Sequence, residues 1–181
     1  MAEQVFVISS NAALLDSVAA TLTAAGYQLA GSATDAEEAR SRLQYSDVDI
    51  IILISPIGAE TGDHLAKDLC YIKPDCGLII AVSDEKRPLF AKRLSDTLAF
   101  LIAKPINKAA LLQALAHMQQ ALSVVSACRQ KQTQLEKKLD DLRIISRAKN
   151  ILISNLHMTE QQAHSYIQKQ SMDCLLYTSQ H

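Results

Sequence analysis

Between residues 5 and 102, short apolar runs alternate five times with helical stretches, and this alternation constrains the fold more than any other feature. Residues 49–55, Asp-Ile-Ile-Ile-Leu-Ile-Ser, are the clearest strand. A run that is apolar on both faces belongs at the centre of a parallel sheet covered by helices on either side. Further strands are expected at 5–9, around 29–30, at 78–82 and at 99–102. Asn11 caps the first intervening helix, which stops where Gly26 suits a left-handed C′ position. Other helices are expected over 35–45 and 63–72, with a weaker one from Pro88, a first-turn proline, to Leu94. The fold class is α/β: a doubly wound, five-stranded parallel sheet, with a fifth helix opening near Asn107.

That fifth helix has no stop signal: from Leu111 to Leu142 there is neither Gly nor Pro. A heptad fits over it, with Leu111, Met118, Val125, Gln132 and Leu139 at a, and Ala114, Ala121, Cys128, Leu135 and Leu142 at d. This predicts a coiled-coil linker over 111–145 and a parallel homodimer through Val125, Cys128, Gln132, Leu135, Leu139 and Leu142. Gln132 is a lone polar a residue, of the kind that sets register. Lys131 would face Glu136 of the partner helix, a favourable pair, whereas Lys138 would face Arg143, an unfavourable one. The alternative is that the early part of the stripe packs on its own sheet. The helix is expected to end near Asn155. After a short linker, Thr159-Glu-Gln-Gln162 is a capping box opening a helix from Glu160 to about Met172.

Bulk properties narrow the function. The 181 residues suffice for one packed domain with an extension, or for two small ones. Apolar runs such as Ile50 to Ile54 are too short to cross a bilayer, and the acidic start Met-Ala-Glu-Gln lacks the basic region of a secretory signal. A cytoplasmic protein with no membrane partner is expected. Cys70, Cys76, Cys128 and Cys174 form no CxxC pair, so they read as small buried side chains in a reducing compartment rather than metal ligands. No nucleophile triad, Gly-rich phosphate loop or His/Asp metal cluster is visible; neither an enzyme nor a cofactor is expected. Residues 1–128 carry 10 Lys/Arg and 14 Asp/Glu, a net −4, whereas residues 129–181 carry 8 and 5, a net +3. A basic arm on an acidic body is compatible with nucleic acid, although solvated helix faces often carry as much.

Five βα units ending in Lys104-Pro105, with Ser83 after the fourth strand, resemble the receiver domain of two-component response regulators over residues 1–122. The resemblance implies that Lys104 and Ser83 sit where a phosphoryl group would bind, beyond the carboxyl ends of the strands. The rest of that chemistry is missing. Ser9, Ser10 and Asn11 occupy the positions of the Mg²⁺-binding acids, and Ser55, followed by Pro56, stands at the end of strand three in place of the phosphoacceptor Asp. Mg²⁺ wants oxygen ligands supplied by carboxylates, and a serine there would give a stable ester rather than an acyl phosphate. Lys104 is then expected to hydrogen-bond local carbonyls or a solvent anion, and Leu101 in the register of the receivers' switch aromatic argues against such a switch.

Arg147-Ala148-Lys149, Thr159-Glu160, Ala163, Tyr166 and Gln170-Ser171-Met172-Asp173 together resemble the ANTAR module, the RNA-binding end of bacterial transcription antiterminators, over residues 135–181. The resemblance implies phosphate contacts by Arg147, Lys149 and Lys169, base stacking on Tyr166, close approach at Ala148 and Ala163, and a place for Gln170 in the same surface. The alternatives are that Tyr166 is a core residue and that Arg143 and Arg147, one turn apart, are a solvated face. The family continues into a third helix, for which the uncharged stretch from Cys174 to His181 is expected to be a poor substitute, leaving a truncated all-α unit. The resemblance implies a dimeric antiterminator that binds leader-transcript RNA hairpins and is controlled by a sequestering sensor protein, as in the amidase and nitrate-assimilation antiterminators. The competing expectation is a dimeric signalling module of response-regulator type that does not bind RNA.

Overall fold

All five apolar runs form strands of a single parallel sheet in the computed structural model, which describes residues 3–58 and 62–178, with side chains to Met172. The elements follow in order: β1 (Gln4–Ser9), α1 (Ala12–Ala24), β2 (Gln28–Ala33), α2 (Ala36–Tyr45), β3 (Ile50–Ile54), α3 (Asp63–Ile72), β4 (Gly77–Val82), α4 (Arg87–Arg93), β5 (Ala99–Ala103), α5 (Lys108–Leu156) and α6 (Glu160–Thr178). The strand order is β2-β1-β3-β4-β5, which puts the wholly apolar β3 in the middle. Val5 pairs with Ile50, Ile50 with Gly77, and Leu78 with Ala99, so the carboxyl ends of the strands finish together.

Alternation along the strands splits the core in two. Phe6, Ile8, Ile51, Leu53, Leu78 and Ile80 meet Leu43, Leu65 and Phe90 from α2, α3 and α4. On the other face Val5, Val7, Ile50, Ile52 and Ile79 meet Val18 and Leu22 of α1 and Leu111, Leu115 and Met118 of α5. Each such side chain stabilises the fold by about 1.5–3 kcal/mol when fully buried. Gly77 opens β4 because of that second face: a Cβ there would lie 2.4 Å from the Sδ of Met118.

The local signals act as expected. The Asn11 side chain accepts from the amide of Leu14, and Asp35 caps α2 in the same way through Glu38. Gly26 has φ +89°, the left-handed turn that ends α1. Two extents differ from the sequence reading. Strand β2 covers Gln28–Ala33 because pairing with β1, rather than its own hydrophobicity, makes it a strand. Helix α6 passes Met172 and runs to Thr178. The reading of the tail from Cys174, including that thiol, falls beyond the described side chains and, past Thr178, outside the described residues.

The chain divides into two units, Met1–Val125 and Ser126–His181. The early heptad positions Leu111, Ala114 and Met118 are spent inside the first unit's core, so that part of the stripe packs on its own sheet. From residue 126 to 147 every residue of α5 is exposed, including Leu135, Leu139 and Leu142.

Candidate functional site

Two regions carry the residues singled out above. The first lies at the carboxyl ends of the strands, where α/β folds place their ligands. The buried Ser9 accepts the Asn11 amide and donates to the Asn11 carbonyl, both at 3.2 Å, so the turn after β1 closes on itself. Ser10 donates to the carbonyl of Pro56 at 3.2 Å. The Lys104 ammonium donates to the backbone carbonyl of Ser55, as expected of a lysine without a carboxylate to face. Burial, with the nearby charge of Lys86, lowers its pKa. Gly62, at φ +85°, comes so close that a Cβ there would lie 3.0 Å from Ser55 Oγ. Ser83 lies exposed after β4, its carbonyl accepting the amides of Lys86 and Arg87. The Lys104-Pro105 bond and the Ser55-Pro56 bond are both cis. Phe100 of β5 points partly outward and meets His117 edge to face at 5.9 Å, while Leu101 takes the inner position.

Among the described residues one carboxylate is buried: Asp63, only 2 % exposed, paired with Arg93, whose Nη1 also lies 3.2 Å from His64 Nε2. Sequence reading missed this cluster, because a link across 30 residues leaves no local signature. Among the described residues, the positions read as the receiver pocket hold hydroxyls, backbone carbonyls and one engaged lysine, and Asp63 is taken up by Arg93. That donor set does not match what a hard divalent cation requires.

The second region is the hairpin of α5 and α6. His157, at φ 51°, makes the turn, and Thr159 and Gln162 close both halves of the predicted capping box at 3.0 and 3.3 Å. Cap and turn bring Ala163 to full burial, where a larger side chain would push the helices apart. Beside it Ala148, Ile151, Leu152, Tyr166, Ile167, Gln170 and Ser171 line a groove of about 520 Å³. Tyr166, 46 % exposed, stands in its wall and also borders a second depression with Lys169, Gln161 and Gln162. Arg147 is exposed, and Lys149 lies 3.6 Å from Glu160. The hairpin therefore gathers Ala148, Tyr166 and Gln170 around one groove, sets Lys169 next to it, and places Arg147 and Lys149 on the neighbouring turn of α5. The aliphatic lining from Ile151 and Leu152 escaped the sequence reading, because the groove is shared with α6 across the turn.

Residues 133–175 match the ANTAR domain family. This stretch is an ANTAR domain. Over 171 residues the chain is 23% identical to the transcriptional regulatory protein PdtaR of Mycobacterium tuberculosis, covering 94% of this chain and 82% of that protein. The first unit is similar to a CheY-like response regulator receiver domain from Methanospirillum hungatei, at 18% identity and a TM-score of 0.61, over 68% of this chain and 98% of the other. An adenylate cyclase structure from Rhodopirellula baltica matches at 14% identity and a TM-score of 0.64, over 76% and 99%. At such identities the structures show the fold alone. The chain thus joins a receiver-like N-terminal fold to a stretch that matches the ANTAR family. Among the described residues no helix is long and apolar enough to cross a membrane.

Proposed function

We propose that this protein is an RNA-binding transcription antiterminator that works as a homodimer and is switched by a partner protein rather than by phosphorylation. The observation that carries the reading is the ANTAR match over 133–175 coinciding with the half-exposed Tyr166 above an apolar groove. Unpaired loop bases stack on aromatic rings, while lysine and arginine hold phosphates. Tyr166 supplies the ring, Gln170 an amide at its edge, Ala148 and Ala163 the close approach, and Arg147, Lys149 and Lys169 the cations. Hairpins in a leader transcript are the ligand. The bare apolar stripe of α5 at Leu135, Leu139 and Leu142, with Val125, Cys128 and Gln132 before it, supports pairing of two chains as a parallel coiled coil. Ser9, Ser10, Asn11 and Ser55 at the positions of a receiver's acids, with Lys104 bonded to the Ser55 carbonyl, support control by docking. The protein acts in the cytoplasm, and the three segments 1–122, 111–145 and 135–181 divide the tasks of docking, pairing and RNA binding.

A gel-shift with paired hairpin RNAs tests the first claim. Binding that weakens steeply with salt is expected; absent or salt-insensitive binding would overturn it, because phosphate contacts release counterions. Incubation with a small phosphodonor and Mg²⁺, followed by intact mass, tests the second: no added phosphoryl is expected, and a stable adduct on the N-terminal body would refute it. One observation favours a second reading, a dimeric protein-interaction module that does not bind RNA. Lys149 is already held by Glu160, which leaves fewer free cations at the groove.

A further inference from the structure

We infer that the paired α5 helices carry a second anion site beside Leu139 and Leu142, where backbone phosphates of the RNA stem bind and hold the two chains together. The inference rests on the reading of a homodimeric RNA binder given above and deepens it. Pairing in parallel is electrostatically opposed. Residues 126–156 of α5 carry seven basic residues and three acidic ones, a net +4 per chain. At one level the seam is satisfied: Lys131 meets Glu136 of the partner helix, and Glu136 also accepts from Gln132 at 3.0 Å within its own chain. A heptad further on, Lys138 meets Arg143 of the partner helix instead. The two-fold axis repeats that contact, so two lysines and two arginines surround the leucine layers at 139 and 142. Like charges facing each other in this way weaken the pair.

The chain itself neutralises this cluster poorly. Lys138 is exposed and makes no ion pair among the described residues. Arg143 has Asp140 at 3.0 Å, but the two side chains are 77 and 67 % exposed, so water and salt keep that pair weak. What the cluster lacks is an anion that both helices share. A phosphate between Lys138 of one chain and Arg143 of the other removes the repulsion, and it finds both partners only where the helices are paired. RNA then favours pairing, and pairing favours RNA by the same factor. The RNA is near at hand. Lys138 lies ten residues, about 15 Å, along α5 from Ala148 in the groove walled by Tyr166. A hairpin whose loop bases stack there extends its stem over that reach, and because it is already held it presents phosphates at high local concentration. A free phosphate has to be gathered from solvent onto exposed side chains. An acidic protein segment would find the apolar anchors, Leu139 and Leu142, already covered by the partner helix.

The test uses the full-length protein, with sedimentation velocity reading pairing and a gel-shift on fully paired protein reading RNA affinity. Two hairpins share one loop, on a long stem or on a stem too short to span about 15 Å. Lys138→Glu sets opposite charges across the seam. Without RNA it is expected to tighten pairing about fivefold, while long-stem binding weakens about fivefold and its log–log salt slope falls by about one. Lys131→Glu, at the same heptad position, faces Glu136 and is expected to weaken pairing about fivefold instead. The short-stem hairpin should bind Lys138→Glu and the parent alike. Glutamate favours helix as well as lysine does, so helix content by circular dichroism stays unchanged in both variants. In the parent, the long-stem hairpin is expected to tighten pairing about fivefold. Equal tightening by polyglutamate or inorganic polyphosphate would show general screening and overturn the site. So would a Lys138→Glu protein with unchanged long-stem binding and salt slope, or one in which pairing and RNA binding weaken together. Hairpin binding that Tyr166→Ala abolishes and Lys138→Glu leaves alone sinks this site only, whereas a parent that binds no hairpin sinks the antiterminator and this inference with it.

Discussion

Replacing Leu139 with alanine is expected to separate the two jobs of α5. In the single chain Leu139 is 55 % exposed, and its neighbours Leu135 and Leu142 are 60 and 62 % exposed, so their contribution to the monomer's own packing is small. Complete burial of a leucine is worth about 1.5–3 kcal/mol, so covering the open half contributes roughly 1–1.5 kcal/mol per chain. A two-fold pair loses it twice, about 2–3 kcal/mol, or about 30- to 150-fold in the dimer dissociation constant. Alanine favours helix at least as well as leucine, so α5 itself is undisturbed. Sedimentation velocity over a concentration series reads the dissociation constant, and thermal melting under dilute, monomeric conditions reads the fold. The same helix supplies the control. Leu115 is fully buried in the body, and Leu115→Ala is expected to cost about 2–5 kcal/mol of stability at any concentration. Should Leu139→Ala leave self-association within twofold of the parent, or lower the monomer's melting as much as Leu115→Ala does, the pairing argument fails.

Three further outcomes are expected. Tyr166→Ala should weaken hairpin binding by about 1–3 kcal/mol, the worth of one stacked base, without changing helix content by circular dichroism, while Tyr166→Phe retains binding. Asp63→Ala leaves the Arg93 guanidinium without its carboxylate and should lower stability in urea melts by about 2 kcal/mol, below the range for a fully buried pair because Arg93 is 41 % exposed. Burial pushes the Cys76 thiol from 9.0 up to about 11, so peptide mapping after brief alkylation near neutral pH, under dilute, monomeric conditions, should find Cys76 unmodified and Cys128, exposed in the single chain, labelled. Because folding raises that pKa, the folded state keeps its proton where the unfolded chain has lost it, and stability falls as pH rises from about 9 toward about 11.

Much of the first unit was legible because its signals are local. The five-residue aliphatic run of β3, the Asn11 cap, Gly26 and the Thr159 capping box each act within a few residues, and each stands where the sequence places it. What was hidden depends on distant partners. Strand β2 carries Gly31 and Ser32 and looks weak alone; Gly31 is needed because a Cβ would lie 2.9 Å from the Phe6 ring on β1. The heptad read as continuous from Leu111, but periodicity cannot say which neighbour an apolar stripe meets, and the sheet takes its first turns. Within the ANTAR domain the capping box was legible and the aliphatic groove was not, because its lining is shared between two helices across a turn.

The closeness of Gly62 to Ser55 limits what position 55 can carry. An aspartate there, bulkier than the serine, would crowd Gly62 while standing beside the Lys104 ammonium, which already holds the Ser55 carbonyl. Space, rather than counter-charge, is what a larger side chain would lack at this end of β3.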